Sequence, residues 1–205
     1  KPVIISTGMA NLDEIGEALE AARSAGAKDV VLLHCVSGYP TPACEANLRT
    51  LPHLAATFGT PVGLSDHSMG IAVSVAAVAL GACVIEKHFT LRRADGGPDA
   101  AFSLEPEELA ALTSSCRTAW EALGEIGFGR KPSEEGNVRF RRSLYVVEDI
   151  QAGEMFTSRN VRSIRPGFGL PPKLLPSVLG KSAEMDLKRG TPLALHHFSS
   201  AKRRS

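Results

Sequence analysis

The sequence lacks several features that would each place a protein in a special class. Its 23 Lys and Arg against 22 Asp and Glu leave a net charge of +1, without the basic excess that nucleic-acid backbones require, so we expect no nucleic acid partner. No apolar run approaches the roughly 20 residues of a membrane helix, and the first residues do not form a signal-peptide pattern. We therefore expect no membrane association and a cytoplasmic protein.

Cysteine is also scarce, with four residues and no CxxC spacing. Paired thiols for zinc binding or redox work are therefore not expected, and we interpret the four as reduced structural residues. The length of 205 residues with 43% hydrophobic content is sufficient for one or two ordinary domains with buried cores.

Four short apolar runs, each followed by a helical pattern, fill the first 126 residues. Continuous runs of this kind are typical of strands that are covered on both faces in a parallel sheet. Helix-start and helix-end signals separate them, such as the capping pair Asn11 and Glu14 and the terminating Gly59. The pattern predicts four βα units. The runs are PVIIS (2–6), DVVLLHC (29–35), PVGLS (61–65) and ACVIEKH (82–88).

The composition changes near residue 127. Residues 127–142 are rich in Gly and charge without periodicity, which indicates a linker. Beyond them, SLYVVEDI, VRSIRPGFG and LGKSAEMDL predict short strands of a small β-rich domain over 143–205. The segments DIQAGEMF (149–156) and DLKRGTPL (186–193) form a weak repeat. Two similar corners of the chain would explain it, and chance is the alternative.

Polar residues end all four predicted strands. Because the carboxyl ends of parallel strands meet at one edge, these residues are expected to lie together. Side chains alternate along a strand, so Asp66 and Lys87 are expected on the outward face. Two inward histidines beside an inward carboxylate could hold one divalent ion, although a histidine in a strand is more often structural. The side chains expected on the inward face are Ser65, His67, Glu86 and His88.

Longer motifs carry a resemblance to a known family. GLSDHSMGIAV (63–73), the run from VAAVALG to EPEEL (75–109), RRSLYVVEDIQAGE (141–154) and VRSIRPGFGLPPK (161–173) resemble the sialic acid synthase family, most closely its pseudaminic acid synthase branch. The resemblance implies an α/β fold. Residues 1–126 would be the C-terminal half of a TIM (β/α)8 barrel, strands five to eight, and residues 143–205 an SAF, or antifreeze-like, β-clip domain.

The resemblance also implies an activity. Family members condense phosphoenolpyruvate with an N-acetylated amino sugar, a 2,4-diacetamido-2,4,6-trideoxy hexose in the pseudaminic branch, to give a nonulosonic acid and phosphate. N-acetylneuraminate or legionaminate synthesis is an alternative, because LLHC (32–35) is more typical of those branches. An inactive truncated fragment is another, because the family's phosphate-binding lysines lie on strands that these residues do not include. A 3-deoxy-sugar-phosphate synthase shares the chemistry but lacks the SAF domain.

Roles for site residues follow from the resemblance. His67 and His88 match the family's metal ligands, with Mn²⁺ expected and Mg²⁺ or Co²⁺ as alternatives. Glu86 is the candidate for proton transfer or for orienting water, and its alternative role is to steady His88.

Substrate contacts are implied in the same way. Ser6, Ser37 and Ser65 match family residues whose hydroxyl groups donate to phosphoenolpyruvate. Asp99 matches a residue that binds sugar hydroxyls. Arg165 matches an SAF-domain arginine that reaches the sugar's acetamido group in the neighbouring subunit of a domain-swapped homodimer. His34 is interpreted as a packed imidazole or as an outer partner of the site residues. The substrate-binding candidates are Ser6, Ser37, Tyr39, Ser65, Asp99 and Arg165.

Overall fold

The computed structural model describes residues 1–198 and divides into two units, one of residues 1–126 and one that begins at residue 127. Within the second unit, Pro132–Phe140 forms a 3-10 helix in the segment predicted as a linker. No helix among the described residues is long and apolar enough to cross a membrane.

A four-stranded parallel sheet in the order β1-β2-β3-β4 forms the centre of the first unit, as the apolar runs predict. The predicted run 82–88 becomes a strand only from Ile85, because the backbone N–H of Ala82 still donates to Ala77 at the end of the preceding helix. The strands are β1 (Val3–Ser6), β2 (Val30–Cys35), β3 (Val62–Asp66) and β4 (Ile85–Lys87).

Helices follow each of these strands, and their ends match the sequence signals. The Asn11 side chain accepts hydrogen bonds from two backbone N–H groups, and the Glu14 side chain completes the predicted capping box. Gly59 ends the second helix at φ 60°, in the left-handed region that favours glycine. The helices are α1 (Leu12–Ser24), α2 (Thr50–Phe58), α3 (Ala72–Ala79) and α4 (Pro106–Leu123).

The core of the first unit lies between the sheet and its helices. Leu32 and Leu64 of the strands pack in one cluster with Leu51 and Leu54 of α2 and with Ala77 of α3. Each fully buried leucine stabilises the fold by about 1.5–3 kcal/mol. This packing holds the carboxyl ends of the strands at one edge of the sheet.

The second unit is a small β-rich domain. Up to residue 198 it contains two strands, β5 (Ser143–Val146) and β6 (Val161–Ile164), which pair antiparallel. A short helix, α5 (Leu175–Val178), follows them. The core of this unit includes Leu144, Phe156 and Leu193, each at most 1% exposed. The strand predicted over residues 179–187 is wrong.

The missing third strand has a geometric cause. Two of its three bridges share one antiparallel register with segment 149–156, but the turn at residues 152–153 separates them, so no continuous ladder extends along the segment. The bridges join Ser182 to Met155, Ala183 to Phe198 and Leu187 to Ile150.

The weak repeat of the sequence corresponds to a symmetric arrangement. Segments 149–156 and 186–193 pair with each other at equivalent residues, because Ile150 and Leu187 exchange both backbone hydrogen bonds. The aspartate that opens each segment accepts a backbone N–H bond from the other. The reciprocal bonds run from Ala152 to Asp186 and from Arg189 to Asp149, each 2.8 Å long.

Candidate active site

The carboxyl ends of β3 and β4 place two pairs of inward side chains beside each other. The sheet register pairs Ser65 with Glu86, and the Ser65 hydroxyl donates to the Glu86 carboxylate at 2.7 Å. Two residues further along each chain segment, the ring centroids of His67 and His88 lie 5.2 Å apart. The predicted alternation at both strand ends is therefore confirmed.

His67 is buried and held from the side of β2. Its Nδ1 lies 3.0 Å from the carbonyl oxygen of Val36, and its own carbonyl accepts from the Thr41 N–H. Because a carbonyl oxygen can only accept, the proton of this bond belongs to Nδ1. The Nε2 atom of His67 therefore carries the free lone pair.

His88 is held by a different loop. Its Nδ1 lies 3.6 Å from the Asp99 carboxylate, and its carbonyl accepts from the Leu104 N–H. Asp99 adopts a φ of 62°, in the left-handed region that short polar residues tolerate better than most. The carboxylate favours a proton on Nδ1, which leaves the lone pair of the His88 Nε2 available to a metal ion.

The two imidazoles fit a divalent ion that keeps open coordination positions. Each ring has its Nδ1 beside an oxygen atom, and its Nε2 makes no hydrogen bond with any residue from 1 to 198. Outer oxygen atoms orient histidine ligands in this arrangement. Among residues 1–198 no group of three or more His, Cys, Asp or Glu side chains is arranged to hold a metal. The protein donors would then be His67 and His88 alone, with the other positions left to water and substrate oxygens.

Two aromatic rings line the histidine pair. The Tyr39 ring lies 4.3 Å from the His67 ring, and the Phe102 ring lies 5.1 Å from the His88 ring. Tyr39 is 54% exposed, whereas Phe102 is 6% exposed. Tyr39, a predicted substrate-binding residue, thus lies beside both histidines. The sequence analysis missed Phe102, although it stands three residues after Asp99 in the same quoted motif.

Cys35 is a second neighbour that the sequence analysis missed. It pairs in register with Ser65, and its Sγ lies 3.9 Å both from Nδ1 of His67 and from the hydroxyl of Ser37. A Cβ on Gly8 would lie 2.4 Å from that hydroxyl, so the ends of β1 and β2 approach closely here. Strand alternation would have placed Cys35 beside Ser65.

A buried ion pair lies on the outward face of the same strand ends. Nζ of Lys87 is 2.9 Å from the Asp66 carboxylate, and the two side chains are 3% and 2% exposed. Burial raises the pKa of Asp66, but hydrogen bonds from Ser74, Ser68 and Lys87 outweigh it and hold this pKa below its ordinary value of 3.8.

The remaining predicted residues are distributed differently. Ser6 is exposed at the end of β1. Arg165 belongs to the second unit, where it is exposed just after β6 and precedes a cis peptide bond to Pro166. His34 is buried with Nε2 2.8 Å from the Ala46 carbonyl oxygen, as expected for a packed imidazole.

Comparison with known proteins identifies related sequences for both units. Residues 1–127 match the NeuB family, and residues 141–199 match the SAF domain. The pseudaminic acid synthase of Campylobacter jejuni is 44% identical over 97% of this chain, which covers 58% of that protein. The N,N'-diacetyllegionaminic acid synthase of the same species is 45% identical over 92% of this chain, which covers 57% of it. The chain thus spans less than two thirds of the length of these curated relatives.

A solved structure agrees with these matches. The spore coat polysaccharide biosynthesis protein SpsE of Bacillus subtilis superimposes with a TM-score of 0.56 at 32% identity, over 98% of this chain and 62% of that one. Together with the parallel sheet, the matches confirm the predicted fold class: the C-terminal half of a TIM barrel followed by an SAF domain.

Proposed function

The chain belongs to the NeuB family, and we propose that it supplies the metal-binding half of a pseudaminic acid synthase. The reaction is the condensation of phosphoenolpyruvate with a 2,4-diacetamido-2,4,6-trideoxy hexose, with formation of a carbon–carbon bond and release of phosphate. The observation that carries the proposal is the pair of imidazoles, His67 and His88, with ring centroids 5.2 Å apart at neighbouring strand ends.

The ion proposed for this pair is Mn²⁺, with Mg²⁺ or Co²⁺ as alternatives. Two imidazoles leave most coordination positions to water and substrate oxygens, which are the ligands that suit Mn²⁺ and Mg²⁺. When bound, the ion would supply Lewis acidity to the aldehyde oxygen of the open-chain sugar. The oxygen atoms of Val36 and Asp99 hold the two rings so that Nε2 of each remains available. Tyr39 and Phe102 pack beside the two rings, with ring centroids 4.3 Å and 5.1 Å away.

Glu86 is the proposed acid–base group. Its carboxylate is oriented by the Ser65 hydroxyl, while the residue itself stays exposed to a substrate. A carboxylate in this position can accept a proton from the water that adds to the former enol carbon of phosphoenolpyruvate. The hydroxyls of Ser6, Ser37 and Ser65 are proposed donors to the phosphoenolpyruvate oxygens, and neutral donors bind an anion without adding charge beside the ion.

Recognition of the sugar is assigned to two residues in different units. Asp99 is proposed to accept hydrogen bonds from sugar hydroxyls. Arg165 is proposed to donate to the acetamido carbonyl across a domain-swapped homodimer, since a guanidinium offers several directed N–H donors.

The location expected from the sequence, the cytoplasm, stays a prediction.

Legionaminic acid synthesis is the second candidate, favoured by the 45% identity to the Campylobacter enzyme of that name. N-acetylneuraminate synthesis belongs to the same group of alternatives. The three differ in the configuration or the substituents of the sugar rather than in the bond that forms, so the metal-binding strand ends are compatible with all of them.

A complete barrel needs eight strands with linked tilt and diameter, and the first unit contains four. We propose that the whole site forms only when the other four are present, so that this chain alone is inactive. The test therefore joins this chain to the N-terminal part of the Campylobacter jejuni pseudaminic acid synthase that it does not match. Phosphate release from phosphoenolpyruvate is measured with Mn²⁺ and each candidate sugar, and the product is identified by NMR, because pseudaminic and legionaminic acids are stereoisomers of equal mass.

The proposal expects phosphate release that depends on the trideoxy diacetamido sugar, and no release by the chain alone. Turnover restricted to an N-acetylated hexosamine that keeps its 4- and 6-hydroxyl groups would favour N-acetylneuraminate synthesis. A folded chimera that is inactive with every sugar, beside an active Campylobacter enzyme, would contradict the proposal.

A further inference from the structure

We propose that Lys87 is a positioning residue that, together with Asp66, sets the separation of the two imidazoles. The inference rests on the proposed function, because it assigns that separation a role in metal binding. It concerns the outward face of β3 and β4, opposite the face that carries Ser65 and Glu86, so it adds a residue that no substrate or ion contacts.

The backbone ladder ends immediately before the histidines. Asp66 and Lys87 are the last register pair of β3 and β4, and His67 and His88 each stand one residue further along. Backbone hydrogen bonds of the ladder fix the relative position of two strands only as far as the last pair. The spacing of the two rings therefore depends on what holds the chain just beyond it.

Each histidine is anchored to a different loop. His67 is held by the 36–41 segment through hydrogen bonds at its Nδ1 and its carbonyl oxygen. His88 is held by the 99–104 segment through a hydrogen bond at its carbonyl oxygen and a looser 3.6 Å contact between Nδ1 and Asp99. These anchors fix the orientation of each ring. Between them, the Tyr39 ring lies 4.3 Å from the His67 ring and 5.9 Å from the His88 ring. Tyr39 is 54% exposed and its ring contacts carry no hydrogen bond, so the distance between the two strand ends still requires a firmer tie.

The Lys87 ammonium supplies that tie. It donates to the Asp66 carboxylate at 2.9 Å and to the Ser68 carbonyl oxygen at 2.6 Å. These two acceptors flank His67 in the chain, while Lys87 itself precedes His88. One buried group thus joins the backbone on both sides of the first histidine to the strand that carries the second.

The acceptor side of this contact is rigid as well. The Asp66 carboxylate also accepts from the Ser74 hydroxyl on α3 and from the Ser68 N–H at 2.8 Å. A carboxylate fixed by several donors offers the ammonium one position. Side chains that orient metal ligands from outside usually change metal affinity by about 10–100-fold when they are replaced.

The test uses three variants of the full 205-residue chain: Lys87→Met, Asp66→Asn/Lys87→Met and Lys87→Arg. The double variant removes both charges and leaves no unpaired buried ion, so its thermal midpoint should recover toward that of the unchanged chain. Mn²⁺ affinity is measured by electron paramagnetic resonance. The exposed pair Lys188–Asp149 in the second unit provides the control variant Lys188→Met.

If Lys87 positions the rings, Mn²⁺ binding weakens at least tenfold in Lys87→Met and stays weakened in the double variant despite its recovered midpoint. Lys87→Arg, which keeps charge and donors, should recover part of the affinity, and Lys188→Met should change nothing. A double variant that recovers the midpoint and also binds Mn²⁺ as the unchanged chain does would overturn the inference, because the pair would then serve stability alone.

A metal-free measurement separates this inference from the proposed function. Nuclear Overhauser contacts between the ring protons of His67 and His88 report their proximity in the absence of any ion. Loss of these contacts in the folded double variant supports positioning by Lys87, even if the unchanged chain binds no Mn²⁺ and the metal assignment fails. Unchanged contacts in that variant overturn the inference even if the unchanged chain binds Mn²⁺ tightly.

Discussion

The Ser65 hydroxyl donates a 2.7 Å hydrogen bond to the Glu86 carboxylate, across the register that pairs these two residues in β3 and β4. A buried serine thereby fixes one oxygen of an otherwise exposed acidic side chain. The bond holds the carboxylate beside the histidine pair without adding a second charge. Because Ser65 fixes the position of this carboxylate, a substitution that keeps the hydrogen bond can test the chemical role of Glu86 by itself.

Replacing Glu86 with Gln tests that role. The amide oxygen can still accept from Ser65, but the side chain can no longer take a proton. We expect kcat of the chimeric enzyme to fall by about 10²–10⁴-fold, the usual contribution of a general acid–base group, with Mn²⁺ affinity unchanged. Steady-state phosphate release and Mn²⁺ titration provide the two measurements.

The matched control for this prediction is Glu121→Gln, which neutralises an exposed carboxylate on α4 and should leave both quantities unaltered. If Glu86 only steadies His88, the result reverses. The Gln variant would then bind Mn²⁺ more weakly while kcat at saturating metal stayed within a few-fold of the unchanged enzyme.

Replacement of either site histidine by Ala should abolish measurable Mn²⁺ binding by the chain. Loss of an outer partner of a metal ligand costs about 10–100-fold in affinity, so loss of a ligand should exceed that. His53→Ala is the control, because His53 is an exposed residue of α2. Affinity is read by electron paramagnetic resonance, and retention of tight binding by His67→Ala or His88→Ala would remove that residue from the ligand set.

Much of the candidate site follows from the sequence because strand periodicity is strictly local. A period of two fixes which of Ser65, Asp66 and His67 face inward as soon as the strand is recognised, and the contacts with Glu86, Lys87 and His88 follow from the pairing of neighbouring strands. Phe102 does not follow in this way. Its position beside His88 depends on a loop whose path includes a left-handed residue at Asp99, and periodicity does not describe such a path.

The second unit also contains contacts that local sequence patterns do not predict. Segment 179–187 has the composition of a strand, yet it forms no ladder, because the turn at residues 152–153 interrupts its antiparallel pairing with segment 149–156. The similarity of segments 149–156 and 186–193 can be detected in the sequence, but the contact between the two segments cannot. Its meaning depends on the pairing of Ile150 with Leu187, which joins residues 37 positions apart and has no local signal.

Two glycine substitutions should change stability in opposite directions. A Cβ on Gly63 of β3 would lie 2.4 Å from the Val84 carbonyl oxygen, and backbone cannot move aside cheaply, so we expect Gly63→Ala to destabilise by about 1–3 kcal/mol. Gly16 lies within α1, where a Cβ would make an ordinary 3.6 Å contact with Phe58. Gly16→Ala should stabilise by about 0.5–1 kcal/mol. Urea unfolding of both variants measures the difference, and equal signs would contradict the described packing of β3 against β4.

The stability of the second unit should fall in mildly acidic solution because of His197. Burial, followed by the charge of the neighbouring His196, lowers the pKa of His197 below its ordinary value of 6.5, and its Nδ1 accepts from the Ala194 N–H at 3.1 Å. Protonation would remove that acceptor. A depressed folded-state pKa means that the unfolded chain takes up the proton first as the pH falls.

The stabilisation due to neutral His197 is therefore complete above pH 6.5 and is lost as the pH falls from there through the folded-state pKa, with the unfolding constant rising by up to about tenfold per pH unit. His197→Gln keeps an acceptor oxygen but does not titrate, so its urea midpoint, followed through NMR signals of β5, should depend less on pH over this window. His53→Gln, which changes an exposed imidazole in the other unit, should retain the full dependence. Equal pH profiles for His197→Gln and the unchanged chain would show that the imidazole is not held neutral by the fold, because only a group whose pKa differs between the folded and unfolded states can couple stability to pH.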